Sequence, residues 1–398
     1  MKLSSLLAGA AAASLMMAAA YGASAQSWTD SITVGGRMYL DFSNNSFEVN
    51  GAKSGAKNGY GFDVKRVYLQ VDKKFNDTYS LQVQTDVSPV PQSVASTTTC
   101  TQAAPVAPAT IGVITCTTAN SNTLAGQGLY LKKAFFKASF SPMLEVSIGS
   151  NELPWIPYAE SIYGNRYLEN TVLEQNNDGG RGTFGTSADW GVHVAGKLND
   201  VFSYQVSMIN GKGYRDSSRS KTVDFEGRLS AKLDQWNFAV GGYTGKRGAS
   251  VYNGTTLVAT PHDATRLNAL AAFVGDRGKL GVEYFTATDW ATSAITDLTV
   301  NHAKGDKAEG ESVFGSYRIT PMFTLFGRYD DVKPSKKLSP FNKDAYYNFG
   351  IQTVPMKGIT LSLVAKHNKL DAYAGGAVKG ALTRTEFSEI GIFTELRY

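Results

Sequence analysis

The stretch 222–233, TVDFEGRLSAKL, alternates residue by residue between apolar and polar side chains. Its apolar set begins with Val223 and Phe225, and its polar set begins with Asp224 and Glu226. Because successive side chains of a strand point to opposite faces, this period of two predicts a strand with one apolar and one polar face. The same period recurs in stretches such as 33–42 and 345–353.

Sixteen segments of this kind follow one another along the chain. They are 31–43, 61–73, 78–88, 128–140, 143–151, 187–198, 201–210, 220–233, 236–246, 265–275, 278–288, 312–320, 323–332, 344–354, 358–368 and 386–398. Short and long connections alternate strictly between them, as in a transmembrane barrel with tight turns at one end and long loops at the other. The sequence therefore predicts an all-β, sixteen-stranded antiparallel transmembrane β-barrel, wide enough to enclose an aqueous channel.

The composition narrows the class further. Of 398 residues, 42% are hydrophobic and 18% are charged, with a net charge of +5 and only two cysteines. A disordered chain would have fewer aromatic residues and a larger charge imbalance. Two cysteines form neither a disulfide-stapled miniprotein nor a zinc cluster, and so small and dispersed a positive charge argues against nucleic-acid binding.

The N-terminus predicts a secretory signal. Lys2 precedes an apolar run, and an Ala-x-Ala pattern at 23–25 marks a cleavage site. We therefore expect residues 1–25 to be removed and 26–398 to form a single barrel domain. A membrane helix is the competing interpretation of the apolar run.

Four short motifs carry a family resemblance: GFDVKRVYL at 61–69, IGSNELPWIP at 148–157, YGNRY at 163–167 and SADWGV at 187–192. With the predicted barrel, the chain resembles the Gram-negative trimeric porins and, more narrowly, the phosphate-selective porin O/P family. The resemblance implies a homotrimer in the bacterial outer membrane, in contact with lipopolysaccharide. It also implies passive diffusion of ions and small hydrophilic solutes, with a weak preference for phosphate-like anions.

In porins the loop after the fifth strand folds into the lumen, so the resemblance implies a constriction built from residues 152–186. An ordinary external loop is the alternative. Charged residues on polar strand faces and in this loop are the candidate pore-lining set: Arg37, Arg66, Lys133, Lys137, Glu152, Glu160, Arg166, Arg181, Arg228, Lys232 and Arg328. Rings of such charges bias which ions enter a pore. Because acids share the same faces, the competing interpretation is that these groups pair and stiffen the wall.

Cys100 and Cys116 lie in the second long loop with fifteen residues between them, and we expect them to form a disulfide after export. The four histidines are scattered without metal-ligand spacing, so we expect neither a metal site nor a cofactor. Two other functions compete with the channel. A barrel could anchor loops that bind a partner, or it could be an outer-membrane enzyme, for which His367 is the candidate base and no serine or aspartate is evidently matched to it.

Overall fold

A computed structural model of the chain describes residues 31–55, 58–90, 94–102, 114–122, 126–175, 181–219, 222–247, 252–253, 256–257, 263–290, 306–374, 376 and 378–398. Sixteen antiparallel strands form one closed sheet, in which the first strand pairs with both the second and the last. The predicted fold is therefore confirmed. The predicted signal, residues 1–25, lies outside the described residues.

The strands, numbered in chain order, are β1 Ile32–Val49, β2 Gly59–Lys74, β3 Tyr79–Val90, β4 Gly126–Ser141, β5 Leu144–Glu152, β6 Ala188–Lys197, β7 Phe202–Ile209, β8 Asp224–Leu233, β9 Trp236–Gly245, β10 Ala264–Gly275, β11 Gly278–Thr288, β12 Lys307–Arg318, β13 Phe323–Lys333, β14 Lys343–Met356, β15 Ile359–Tyr373 and β16 Leu382–Arg397. Helix α1, Ile156–Tyr163, lies between β5 and β6. No helix among the described residues has the length and apolar character needed to cross a membrane.

Several strands run further toward the long loops than the period of two predicts. Strand β1 continues to Val49 instead of stopping at residue 43, and β12 begins at Lys307 instead of 312. The added residues of β1 still pair along their length with β16. Backbone pairing does not require an apolar face, so the hairpins extend past the point where the alternation stops. A two-residue strand, Ala52–Lys53, extends the first hairpin.

Asparagine side chains stabilise two of the short turns that connect neighbouring strands at one end of the barrel. The Asn76 side chain accepts hydrogen bonds from the backbone N–H groups of Thr78 and Tyr79, at 2.9 and 2.8 Å. Asn199 does the same for Val201 and Phe202, at 2.9 and 2.7 Å. Asparagine favours such turns because its short amide replaces a missing backbone partner. These residues fix the tight connections that the sequence predicted.

The burial of the two strand faces is the reverse of that in a water-soluble protein. Apolar residues of the outer face are exposed, among them Leu267 at 65% and Val240 at 58%. Polar residues of the inner face are buried, including Glu226 at 2% and Arg328 at 4%. The strands thus carry an apolar outer surface around a polar interior.

Candidate pore and constriction

The connection between β5 and β6, residues 153–187, is called the lumen segment here. Its ends meet where the Leu153 N–H donates to the Ser187 carbonyl at 3.0 Å. The Trp155 indole N–H donates to a Glu283 carboxylate oxygen on β11 at 2.7 Å, and its backbone N–H donates to Glu226 on β8 at 3.1 Å. The segment therefore leaves β5 and packs against inner-face residues of strands farther along the chain.

An apolar cluster packs residues from both ends of the lumen segment against the barrel wall. Trp155 and Phe184 are fully buried, and Phe184 packs on Phe285 of β11 with ring centroids 4.9 Å apart. Gly241 of β9 makes room for the indole, because a Cβ there would lie 2.6 Å from a Trp155 ring atom. The wall around the cluster supplies small inward-facing residues: Ala239, Ala264, Ala272, Ala287 and Ala308. Small wall residues thus create the space that the large side chains of the segment fill.

Helix α1 is the ordered core of the lumen segment. A proline lies in the first turn of the helix, where a missing backbone N–H costs least. The helix ends at Gly164, whose backbone φ of +78° is a conformation that favours glycine. The Lys279 ammonium of β11 donates to the Ile162 and Tyr163 carbonyls at 3.1 and 2.5 Å. A cation at the negative end of a helix is a favourable arrangement, so Lys279 holds this end of α1 against the wall.

The second part of the lumen segment is held by basic residues of the later strands. Arg328 of β13 donates to the Asn170 carbonyl at 2.5 Å. Lys366 of β15 donates to the Leu168 carbonyl at 2.8 Å. These bonds use wall cations to satisfy loop carbonyls, so the lumen segment lies against the inner face of β13 and β15.

An open cavity of about 660 Å³ remains between α1 and the wall formed by β16 and β1–β4. Its charged lining consists of Arg37, Lys132, Lys133, Arg166 and Arg397, with Asp72, Glu152, Glu160 and Glu395. Five basic residues face four acidic ones, so the balance of formal charge along the cavity is one positive unit.

Arg166 forms ion pairs with two carboxylates of the same lumen segment. Its partners are Glu160 and, at 3.5 Å, Glu174. Burial raises the pKa of the Glu160 carboxyl above its usual 4.5; the attraction of Arg166 opposes this rise, and the charge of Glu174 adds to it. Burial also tends to raise the pKa of the Glu174 carboxyl, but the positive charges of Arg166 and Lys132 outweigh this effect and hold that pKa below 4.5. Two carboxylates that share one guanidinium therefore take up protons at different pH values.

Two β-bulges turn consecutive basic residues toward the interior. The register between β1 and β2 skips Lys65, and the register between β3 and β4 skips Lys132. As a result Lys132 and Lys133 both line the cavity, and Lys65 forms an ion pair with the buried Asp41 at 3.3 Å beside the inward-facing Arg66. Bulges re-aim side chains in this way. Strict alternation assigns Lys132 to the outer face, so the predicted pore-lining set does not contain it.

The predicted pore residues fall into four groups. Arg37, Lys133, Glu152, Glu160 and Arg166 line the cavity. Arg66 instead bonds to Asp86 at 2.7 Å and to Tyr130 at 3.1 Å. The remaining residues lie elsewhere: Arg181, Arg228 and Arg328 donate to lumen-segment carbonyls, whereas Lys137 and Lys232 lie near the short turns. The polar strand face identifies inward residues, but it does not reveal which of them the loop covers.

Two further predictions concern specific pairs. Cys100 and Cys116 face each other in the register of a two-stranded hairpin, Val94–Gln102 with Ile114–Asn122, but their side chains lie outside what is described. The disulfide therefore stays a prediction. No serine or aspartate is evidently matched to His367 in the sequence, whereas the structure places its Nδ1 2.9 Å from the Ser388 hydroxyl on β16. The two residues lie directly opposite each other on neighbouring strands, in a register that the predicted strand bounds do not specify.

Comparison with solved structures gives the same architecture. An anion-selective porin from Comamonas acidovorans is similar with a TM-score of 0.56 and 12% identity, covering 92% of this chain and 99% of that one. A loop-deletion mutant of OmpT, an outer membrane protein of Vibrio cholerae, matches with a TM-score of 0.53 and 13% identity over 93% and 100% of the two chains. The outer membrane channel DcaP of Acinetobacter baumannii gives 0.53 and 12%, over 92% and 97%. No family model and no curated protein matches the sequence. The barrel is a porin fold.

Proposed function

We propose that the chain is a passive diffusion channel of the bacterial outer membrane for ions and small hydrophilic solutes. The observation that carries this proposal is the inverted burial: exposed apolar residues surround a closed sheet whose interior is polar and holds an open cavity. A sheet with an apolar outside is stable against lipid, and closure leaves no unpaired strand edge there. The porin fold supports the same function.

The lumen segment is the proposed constriction. It fills the interior beside the later strands and leaves the cavity beside β16 and β1–β4. Because the formal charge of that cavity is positive by one unit, we propose a weak preference for anions, including phosphate-like ones. One structural neighbour is described as an anion-selective porin, which agrees with this direction.

Three finer proposals come from the sequence resemblance. They are membership of the phosphate-selective porin O/P family, assembly as a homotrimer, and contact with lipopolysaccharide after removal of residues 1–25. One matching structure, of OmpT from Vibrio cholerae, is described as a trimer form. Cross-linking in detergent tests the trimer, and N-terminal sequencing of the exported protein tests the cleavage.

A planar-bilayer recording tests the channel. Purified protein is added to one side of a membrane in potassium chloride, and stepwise conductance is the expected result. A salt gradient then gives a reversal potential, whose sign is expected to indicate chloride permeating faster than potassium. A bilayer that stays silent, with correctly folded protein present, would contradict the channel and favour a surface anchor. Hydrolysis of a lipid or peptide would favour an enzyme, for which the His367–Ser388 pair is the first site to mutate.

A further inference from the structure

The fourth long loop connects β7 and β8, and its described residues 210–214 pack inward against β6. The Asp189 carboxylate on β6 accepts hydrogen bonds from the Gly211 and Gly213 N–H groups, both at 3.0 Å. The Trp190 indole donates to the Tyr214 carbonyl at 3.1 Å, and the Tyr214 N–H donates to the Ala188 carbonyl at 3.0 Å. Four hydrogen bonds thus fix the loop backbone from Gly211 to Tyr214.

This anchoring carries the Tyr214 ring across to β4. Tyr214 is 8% exposed, and its ring stacks on that of Tyr130, with centroids 5.9 Å apart and planes 17° from parallel. The Lys132 ammonium lies 5.5 Å from the Tyr214 ring and 4.9 Å from the ring of Tyr68 on β2. Lys132 lines the open cavity, and Tyr130 precedes it on the long-loop side of the same strand. The Tyr214 ring therefore packs against Lys132, a lining residue of the cavity, from the long-loop side.

Arg215 extends the same contact outward. Its guanidinium lies 4.8 Å from the Tyr130 ring centroid and 5.8 Å from that of Tyr214, and it donates to the Tyr130 hydroxyl at 3.1 Å. That hydroxyl also donates to Asp86 at 2.8 Å and accepts from Arg66 at 3.1 Å. The two tyrosines thus hold an exposed arginine on the long-loop side of Lys132, by cation–π contact and one hydrogen bond.

Aromatic rings leave the charge of a cation available, whereas a carboxylate cancels it. Within the described part of the chain, Lys132 and Arg215 have no carboxylate oxygen within 4.0 Å, whereas Arg66 and Arg166 each have one or more. Lys132 is buried and its charge also acts on Glu174, whereas Arg215 is exposed and has no such partner among the described residues. The charge of Arg215 therefore contributes most directly to the field that a passing anion meets.

We propose that Tyr214 and Arg215 form a lid on the long-loop side of the cavity, which narrows this mouth and gives it its preference for small anions. The inference rests on the proposed channel function. It adds a second loop to the constriction: the lumen segment sets one wall of the passage, and the fourth loop covers its outer mouth.

The test uses the full-length protein in planar bilayers with a potassium chloride gradient. Tyr214→Ala is expected to raise single-channel conductance because it removes the ring over the cavity. Arg215→Gln is expected to lower the chloride-to-potassium permeability ratio about two- to fourfold, the effect of one unit charge about 10 Å away in water. Arg219→Ala removes the same charge from an exposed position of the same loop and serves as the matched control.

Each outcome decides the proposal. Conductance of Tyr214→Ala equal to or below wild type, in protein that shows normal heat-modifiable migration, overturns the lid. So does a permeability ratio for Arg215→Gln that matches that of Arg219→Ala. Arg215 is exposed, so this second variant keeps the test valid if Tyr214→Ala does not fold. If the wild-type protein does not conduct, the channel proposal is contradicted, and the lid proposal fails with it. If the wild-type protein conducts, the results for the two variants test the lid alone.

Discussion

The interior of this barrel has a packed half and an open half, and basic residues play different parts in the two. In the packed half, Arg328 is 4% exposed and bonds to Asp330 and to the Asn170 carbonyl, each at 2.5 Å. In the open half, Arg37 is exposed and lines the cavity. Both residues lie on the inner face of a strand. An inward position therefore makes a pore residue only where the lumen segment leaves the wall uncovered.

The two halves also differ in what stabilises them. Burial of Trp155, Ile156 and Phe184 supplies apolar contact in the packed half, and wall cations satisfy the loop carbonyls. The open half is bounded by tyrosines and charged groups facing a cavity. Substitutions in the packed half should release the loop, whereas substitutions in the open half should change which ions pass.

The largest expected effect is in the packed half. Trp155→Ala removes a fully buried indole and leaves Glu283 without its donor, which we expect to weaken packing of the lumen segment by about 3–5 kcal/mol. Larger, noisier single-channel currents and faster protease cleavage within residues 153–187 are the measurements. Trp236→Ala, at a 49% exposed tryptophan of β9, is the control. If Trp155→Ala gives the same single-channel current and noise as the wild type, the packing role assigned to this indole is contradicted.

The next effect concerns the second long loop, which joins two strands of the open half. If Cys100 and Cys116 are joined, Cys100→Ser removes a tether worth about 3 kcal/mol for a loop of this length. The oxidised protein is expected to migrate faster than the reduced protein on a denaturing gel, and the variant to lose that difference. Equal migration of oxidised and reduced wild type would exclude the bond. Ser96→Ala, in the same hairpin strand, is the matched control.

A pH dependence is expected in the open half. Burial raises the Glu160 pKa above 4.5, so as pH falls this carboxyl is protonated before Glu174, whose pKa is lowered. Ionised Glu160 destabilises the folded protein, and this cost disappears as pH falls through its raised pKa. Ionised Glu174 stabilises the folded protein above pH 4.5, and this stabilisation is lost only as pH falls through its lowered pKa. Protonation of Glu160 makes the cavity one unit more positive. Anion preference should then rise about two- to fourfold.

Glu160→Gln is expected to show the higher anion preference already at neutral pH and to lose that step on acidification, measured from reversal potentials between pH 7 and pH 4. Glu311→Gln, at an exposed outer-face position of β12, is the control. A wild-type acidification step that persists in Glu160→Gln would assign the titration to another carboxyl.

The smallest effect is expected at the short-turn end. Lys232 is exposed near the end of β8, away from the lining of the cavity. Charges separated by more than about 8 Å are largely screened at physiological salt, so Lys232→Ala should leave ion selectivity unchanged. A reversal potential that moves as far as that of an Arg37→Ala variant would extend the selective region to this end.

The sequence predicted the sixteen strands because their signal is local. Period-two alternation over about ten residues marks each strand, and asparagines mark short turns such as the one at Asn199. Where the alternation fades, the prediction loses accuracy: the first residues of β12, KAEGE, carry no apolar face and were placed in a loop. The bulge at Lys132 reverses one residue of the pattern and removes it from the predicted set.

The wall residues against which the lumen segment packs are harder to predict from the sequence. Its aromatic residues predicted that it needed a surface to pack against, but the partners lie far along the chain. Trp155 bonds to Glu283, and Leu168 bonds to Lys366, 198 positions away. The sequence does contain one signal for this packing: inward-facing alanines on neighbouring strands, such as Ala239 and Ala272, indicate a wall with room for large side chains.

Alternation and loop lengths were enough to determine the closed barrel, since each strand carries its two faces in its own residues. Only the tertiary structure decided which inward charges remain open, because that depends on where a connection of about 35 residues crosses the interior and on two bulges that shift the register. The fourth loop shows the same dependence: nothing in its own residues specifies that Tyr214 lies over Lys132, because Asp189 and Trp190 of β6 hold it there.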